Sequence, residues 1–415
     1  MTGLDSNFSV LKTEIQHEFH ARPALSVDVA QSLIYHWSVV TQSGAVGLGE
    51  QAPLTPEAAY VKQHYPFDGR HSKFELANGT LRVERHTEFL SFTFVPTDPQ
   101  GEEGTLLAGV SPLLGTHVFC ASRIKLVNEP RGAGDDATGT QRLYGGRNTG
   151  IGYEIETSFA NDARGFVEYQ VWGAQSDPII RGRIIKLLTD IEMYRLAAMM
   201  ALPLTQQRGA TLRSLESQVQ QIGRALDEEG EETNAENVHR ISELLLSVQE
   251  LQEATQYRFA ASSAYRDIVE ARLDAIDEVP VAMRTTLRDF IDHRLTPAMK
   301  SVQAFDNRLK LLADASQKLM SLARTKFDLE IQTQNQMLLE LMVDRARQQI
   351  RLTHAIEGFS VVAITYYAMN LIKFALDAVP PLPLADEVVL GGLIPVVAVA
   401  TFGLTRFIQR RVSRD

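Results

Sequence analysis

Apolar and polar residues alternate with period two along Ser32–Val40, Lys73–Leu76, Thr80–Pro96, Thr116–Val127 and Tyr153–Gly173, which predicts a mostly antiparallel sheet. Asn78-Gly79 lies between Phe74-Glu75-Leu76 and Leu81-Arg82-Val83, a strong hairpin signal because both residues accept the positive φ of a tight turn. Asn161–Gly165 predicts a second hairpin. Leu11–His20 and Pro56–Gln63 read as short helices, the latter packed on the sheet, and Gly132–Gly139 and Gly145–Gly152 as Gly-rich loops.

From Asp177 onward the pattern becomes helical. Arg183–Met200 is an apolar-striped helix stopped at Pro203, followed by helices at Thr211–Leu226, Ala235–Thr255 and Ser262–Asp277. The acidic, Gly-containing break Asp227–Glu232 reads as a solvated helix-hairpin tip. After Pro297 no Gly or Pro occurs until Gly358. One helix, or two nearly collinear ones, of roughly 60 residues and ~90 Å therefore forms a stalk. Its Phe327, Ile331, Gln334, Leu338, Leu341, Arg345, Gln348 and Leu352 follow 4-3 spacing, the seam of a helix packed on neighbours. Gln334, Arg345 and Gln348 make that seam polar towards its end; they set the register of the packed helices or face water along an axial passage.

The stalk leads into Ile356–Leu376, and a second apolar segment follows at Val388–Ile408; each matches the ~20 residues a helix needs to cross a bilayer. The connector holds Pro380, Pro381, Pro383 and acidic residues but no Lys or Arg, whereas Arg345, Arg347 and Arg351 precede the pair and Arg406, Arg410, Arg411 and Arg414 follow it. By the positive-inside rule the hairpin enters from and returns to the cytoplasm, with both termini cytosolic. Polar residues in the first span are few: Thr365, Tyr366, Tyr367, Asn370 and Lys373. Two helices cannot enclose a pore, and Asn370 and Thr365 would be unsatisfied in lipid, so several copies should surround an axis. The expected fold class is α+β. A cytosolic α+β domain (1–177) precedes a cytosolic helical region (178–297), the stalk (298–355) and a transmembrane hairpin with a basic tail (356–415).

Composition adds limits. The 415 residues are 44% hydrophobic and 22% charged, enough for one sizeable core plus a helical second domain, with only about a tenth of the chain in the membrane. The N-terminal stretch lacks the basic, apolar and cleavage regions of a signal peptide. A single cysteine, Cys120, leaves no intrachain disulfide and fits a reducing compartment. A net charge of −10 without a basic-aromatic face argues against nucleic acid as a partner.

His17 and His20 beside Glu18, and His86 between Glu84 and Glu88, could converge on a metal, although neither string alone supplies the three or four ligands of a zinc site. The structural alternative has Arg22, His20 and Glu88 fixing the first helix to the sheet through hydrogen bonds. Gly145–Gly152 lacks the Gly-Lys-Ser/Thr ending and following helix of a phosphate loop and reads as a turn. Ser111 and Ser122 lack a nucleophile-elbow context, and nothing near Cys120 predicts a lowered pKa, so the chain reads as a non-enzyme.

Several strings resemble an uncharacterised bacterial family of membrane-anchored proteins, domain of unknown function 3422, along nearly the whole chain. They are His17-Glu18-Phe19-His20-Ala21-Arg22-Pro23, Glu84-Arg85-His86-Thr87-Glu88-Phe89, Ile191-Glu192-Met193-Tyr194-Arg195, Arg294-Leu295-Thr296-Pro297-Ala298, and Ile356-Glu357-Gly358-Phe359 leading to Tyr366-Tyr367. That family carries no known activity. The architecture, with Tyr367-Ala368-Met369-Asn370, also resembles the CorA magnesium-channel superfamily, whose first span ends in Tyr-Gly-Met-Asn. This resemblance implies a homo-oligomer, a pentamer by analogy, in the bacterial inner membrane, passing Mg²⁺ or another divalent cation as cargo and needing no resident cofactor. Asn370 would be the selectivity residue, Met369 a packing residue beneath it, and Tyr367 and Thr365 further residues of the ion path. Ala368 stands where that superfamily has Gly, and Lys373 follows one turn beyond Asn370. The competing expectation is a membrane-anchored interaction or regulatory protein without transport.

Overall fold

The computed structural model describes residues 27, 33–42, 53–67, 69–131, 142–173, 177–227, 234–281, 284–377 and 386–412. The predicted helix Leu11–His20, the candidates His17 and His20, their proposed partner Arg22 and the loop Gly132–Gly139 lie outside them. The protein is α+β, with a mixed sheet in its N-terminal half and long helices after it. The chain divides into two compact units, Met1–Ser321 and Leu322–Asp415.

Nine strands form one sheet: β1 (Leu33–Val40), β2 (His71–Leu76), β3 (Gly79–Arg85), β4 (Phe89–Pro96), β5 (Val118–Val127), β6 (Gly146–Asn148), β7 (Glu154–Asn161), β8 (Val167–Trp172) and β9 (Glu278–Pro280). Their order is β2-β3-β4-β1-β5-β8-β7-β6-β9. Neighbours run antiparallel except β5 and β8, which are parallel. Thr80–Pro96, read as one alternating stretch, is two strands that fold back at His86-Thr87-Glu88, because His86 N bonds Phe89 O at 2.9 Å. The Asn161–Gly165 turn forms as predicted, with Asp162 accepting from Arg164 N and Phe166 N, both at 2.9 Å. The Gly145–Gly152 stretch is partly strand, since β6 pairs with β9 from far along the chain.

The Asn78 hairpin forms for a different reason than the one sequence suggests. Leu76 pairs with Gly79, and neither Asn78 nor Gly79 adopts positive φ. Gly79 is required for space: a Cβ there would come within 2.4 Å of Val95 O and 2.8 Å of the Phe94 ring. Asn78 instead reaches across the turn, its Nδ2 donating to Leu106 O at 2.5 Å.

Helix starts follow capping chemistry. For α1 (Pro56–His64) Thr55 Oγ1 accepts from Ala58 N at 3.3 Å. A second, short helix, α2 (Glu103–Leu107), leads into a 3₁₀ turn, Ala108–Leu113. Asp177 caps α3 (Pro178–Met199) by accepting from Ile179 N at 2.7 Å. That helix begins five residues before the predicted Arg183 because Pro178 is well suited to a first helical position. Pro203 does not stop it; the break falls at Met200, and Pro203 sits in the first turn of α4 (Ala201–Asp227). The two helices expected between Ala235 and Asp277 are one, α5 (Asn234–Ile276). The apolar rhythm lapses at Arg258, which is nonetheless buried and bound to Glu88, so no break is needed. The stalk helix, α6, runs Leu287–Asp377 and contains Pro297. Thr286 Oγ1 accepts from Asp289 N at 3.0 Å, and Glu278 accepts from Leu287 N at 2.9 Å, so its start lies ten residues upstream of the proline. The last helix, α7, spans Asp386–Val412.

The sheet separates two cores. On one face Tyr35, Trp37, Leu81, Val83, Phe92 and Phe94 pack with α1 and the 3₁₀ turn. On the other, Ile34, Ile124, Ile155, Tyr169 and Val171 pack against α3, the C-terminal end of α5 and the first turns of α6. The helices from Pro178 to Ser321 thus complete the same compact unit as the sheet. In the second unit α6 is exposed along 331–356, and the hydroxyls of Thr365 on α6 and Thr401 on α7 meet at 2.9 Å. Among the described residues one stretch, within α6, is apolar and long enough to cross a membrane, and Gly391–Phe407 is a shorter apolar helix.

Because Gly79 is needed for clearance, Gly79→Ala should destabilise the compact unit by about 1–3 kcal/mol, the usual range for overpacking. Denaturant unfolding of the two proteins measures this directly; equal stabilities would mean that the β2–β3 turn moves freely out of the way.

Candidate functional site

Residues directly opposite each other in register share a face of the sheet. One such row on the helix-covered face runs Lys73, Arg82, Thr93, His36, Ser122 across β2, β3, β4, β1 and β5. The next row on that face is His71, Glu84, Ser91, Ser38, Cys120. Both rows are polar where a sheet facing helices is ordinarily apolar. Between this part of the sheet and helices α3 and α5 opens a cleft of about 950 Å³.

The cleft holds two carboxylates, Glu84 and Asp190, and each is spoken for. Lys186 Nζ donates to Glu84 Oε2 at 2.7 Å and lies 3.2 Å from Asp190 Oδ1. Arg272 Nε donates to Asp190 Oδ2 at 2.9 Å. Burial alone would raise the Glu84 carboxyl, but Lys186, His86 and His71 outweigh it and hold the pKa near 2. Burial opposes charge on Lys186 too, and Asp190 and Glu84 keep its pKa above the ordinary lysine value. Five further cations line the walls: Arg70, Lys73, Arg82, Arg85 and Arg183. Arg85 lies over the Phe67 ring, and Lys73 pairs with Glu75 at 2.5 Å. Arg82 is half-buried, and no hydrogen bond or ion pair is made by its guanidinium among the described residues; burial pushes its pKa below the ordinary arginine value against the pull of Glu84 and Glu75.

Deeper on the same face, His36 is 2% exposed, with Nδ1 3.1 Å from Thr93 Oγ1. Its Nε2, Ser38 Oγ and Ser122 Oγ are buried without a hydrogen-bond partner among the described residues. Burial first, then the charge of Lys186, lowers the His36 pKa to about 3. The arrangement is therefore a cation-rich cleft backed by neutral polar groups.

Of the histidines proposed as metal ligands, His86 is in the described residues and lines this cleft. Its Nε2 lies 2.8 Å from Ser91 Oγ, and its ring stacks on Phe89 at 4.4 Å. Among the described residues no group of three or more His, Cys, Asp or Glu side chains could hold a metal ion. Glu88 is bound by Arg258, and the Tyr265 hydroxyl donates to it at 3.0 Å, so α5 supplies partners that sequence reasoning sought in Arg22 and His20. Cys120 is buried beside Glu192, and burial raises its pKa well above the ordinary thiol value.

The ion-path candidates split between two sides of α6. Positions 357, 361, 365, 368, 369 and 372 are partly shielded, while Tyr366, Tyr367, Asn370 and Lys373 are exposed. Thr365 also donates to Val361 O at 2.7 Å. Its hydroxyl is satisfied within the chain, so the case that lipid would force copies together rests on Asn370 without it. Gln334, Arg345 and Gln348 are all exposed on the stalk. Arg82, Lys73, Lys186 and His36 were missed as a group, because only strand register and the α3 packing bring them together; a histidine inside the apolar run Leu33–Val40 was the one available signal.

A family model described as protein of unknown function, DUF3422, matches residues 9–412, and the chain belongs to that family. No curated protein matches it.

The buried His36 gives the fold a pH dependence that can be separated from that of the carboxylates. Its folded pKa is depressed below the ordinary ~6.5, so the unfolded state binds the proton more readily and stability falls as pH drops below that value. Glu84 keeps its contribution until pH falls below about 4.5 and loses it towards 2. Between pH 7 and 5 the His36 contribution should shrink by about 2 kcal/mol. His36→Gln should flatten the melting-temperature profile in that window; an unchanged slope would remove His36 as its source.

Proposed function

We propose that this is a self-associating, membrane-anchored protein of the bacterial inner membrane. The segments Ile356–Leu376 and Val388–Ile408 cross as a two-helix hairpin, and the large N-terminal body and both termini are cytosolic. The Thr365–Thr401 hydrogen bond supports the pairing of the two helices. The arginines on either side of the pair, and their absence from the connector, support the orientation.

The observation that carries self-association is the stalk. Met337, Leu338, Leu339, Leu341, Met342 and Val343 are each about half exposed or more, and at 3.6 residues per turn they spread over about two-thirds of the helix circumference, leaving the rest to Glu340 and Asp344. A single partner helix covers one stripe. Covering several sides takes neighbours on at least two, so the assembly holds three or more copies. Mass determination in detergent should give a trimer or larger. Leu338→Glu combined with Met342→Glu should dissociate it while the helical and strand signals of the body persist; a monomeric wild-type protein would end this reading.

A second reading, passage of a divalent cation along the assembly axis, is favoured by the continuation of the seam. Phe359, Val362 and Tyr366 extend the 4-3 spacing of Leu338, Leu341, Arg345, Gln348 and Leu352, and Asn370 follows one turn after Tyr366. All four are exposed, away from the positions shielded near α7. An assembly closed along this seam turns the Asn370 carboxamides towards its axis, where neutral acceptors can bind a hydrated cation without stripping its waters. In that case protein reconstituted in liposomes should pass Mg²⁺ and Asn370→Ala should abolish the flux. Absence of flux in wild type leaves the protein an anchored interaction or regulatory module.

A further inference from the structure

We propose that the cation-rich cleft between the sheet and helices α3 and α5 binds a small phosphate-bearing molecule with an apolar or ring portion. The site lies within the first compact unit, Met1–Ser321.

Three observations converge. The first is charge: both carboxylates of the cleft are engaged by Lys186 and Arg272, and Arg82 and Arg183 add further positive charge to the walls, in a chain whose net charge is −10. A concentration of cations against the sign of the whole protein is a local field directed at an anion. The second is register. Lys73 and Arg82 stand directly opposite each other on neighbouring strands, an arrangement of like charges that destabilises a sheet. A bound anion reverses that cost, and Arg82 has both its burial and its uncommitted guanidinium to meet one, since planar N–H donors match phosphate oxygens in pairs. The third is the polar floor. Thr93, on the same row as Arg82, lines the cleft and joins it to His36, whose Nε2 is buried and unbonded, as are Ser38 Oγ and Ser122 Oγ on the same face.

The remaining lining decides the rest of the ligand. Ile179, Ile185, Leu187, Ile268, Tyr194 and Tyr265 supply an apolar wall beside the cations. A volume of about 950 Å³ is far more than an inorganic anion fills and is within the range of small-molecule sites. A phosphate ester of a base or acyl group meets both halves. No hydrolysis or transfer is implied.

The test uses the full-length protein in detergent with four probes: AMP, adenosine, inorganic phosphate and a short-chain phosphatidic acid. Thermal unfolding and titration calorimetry should show stabilisation and saturable binding by AMP or by phosphatidic acid, competition by inorganic phosphate, and none by adenosine. A response to AMP identifies a soluble phosphate ester and a response to phosphatidic acid alone identifies a lipid headgroup; both support the site. Arg82→Gln should weaken binding at least tenfold, while the ligand-free melting temperature stays level or rises as the repulsion from Lys73 is relieved. Arg183→Gln, at an exposed position on α3, supplies a second variant whose folding is not at issue and should weaken binding several-fold. Adenosine binding as well as AMP, no response to any phosphate-bearing probe, or full affinity in both variants would overturn the proposal.

Discussion

A sheet whose helix-covered face is polar over half its width can be closed only if the covering helices bring matching charges, and that constraint organises the compact unit. Glu84 and Glu88 project from the β3–β4 hairpin, and each meets a cation more than a hundred residues later: Lys186 on α3 and Arg258 on α5. Arg258 is 1% exposed, so the Glu88 carboxylate is what makes its burial tolerable. Removing one partner of such a buried pair typically costs about 3–5 kcal/mol, because the other is left charged and unsolvated. Replacing both with apolar groups is often neutral, so pairs of this kind fix which helix lies where more than they add to stability.

The same constraint creates the cleft. Where Val95, Ile34, Ile124 and Tyr169 form the face, α3 packs closely and the core is apolar. Two residues along each strand the face becomes Thr93, His36 and Ser122, which cannot be sealed by leucines without leaving polar atoms unsatisfied. The helices there carry Lys186, Asp190 and Arg272, and a cavity remains between the two polar surfaces.

Helix α6 shows how one continuous secondary structure can serve two roles. From Leu287 to Ala323 it buries Ile291, Leu295, Ala298, Val302, Phe305, Leu309 and Leu312 at three- and four-residue intervals. Beyond that the sequence remains as apolar but the burial stops, and Leu338, Leu339 and Met342 lie open. Exposed apolar surface on this scale is what contact sites for another chain or a membrane are made of.

The sequence by itself determined the strands of the first half other than β6, the hairpin at Asn161–Gly165, the helix Pro56–Gln63, the helical second half and the two apolar C-terminal segments. These follow from local periodicity and turn chemistry, which act over a few residues. It mistook boundaries wherever a long-range partner overrides the local signal: Arg258 breaks the apolar stripe of α5 yet sits buried on Glu88, and Pro203 and Pro297 are absorbed into helices whose starts are set by packing and caps. The reason for Gly79 was also invisible, since the residue it must clear, Val95, lies on another strand. Of the site, the Glu84–Glu88 string was legible as a place of interest. Only the tertiary structure decided that Lys73, Arg82, Thr93 and His36 stand in one row facing Lys186, because register and helix packing, and not sequence proximity, bring those charges within reach of one ligand.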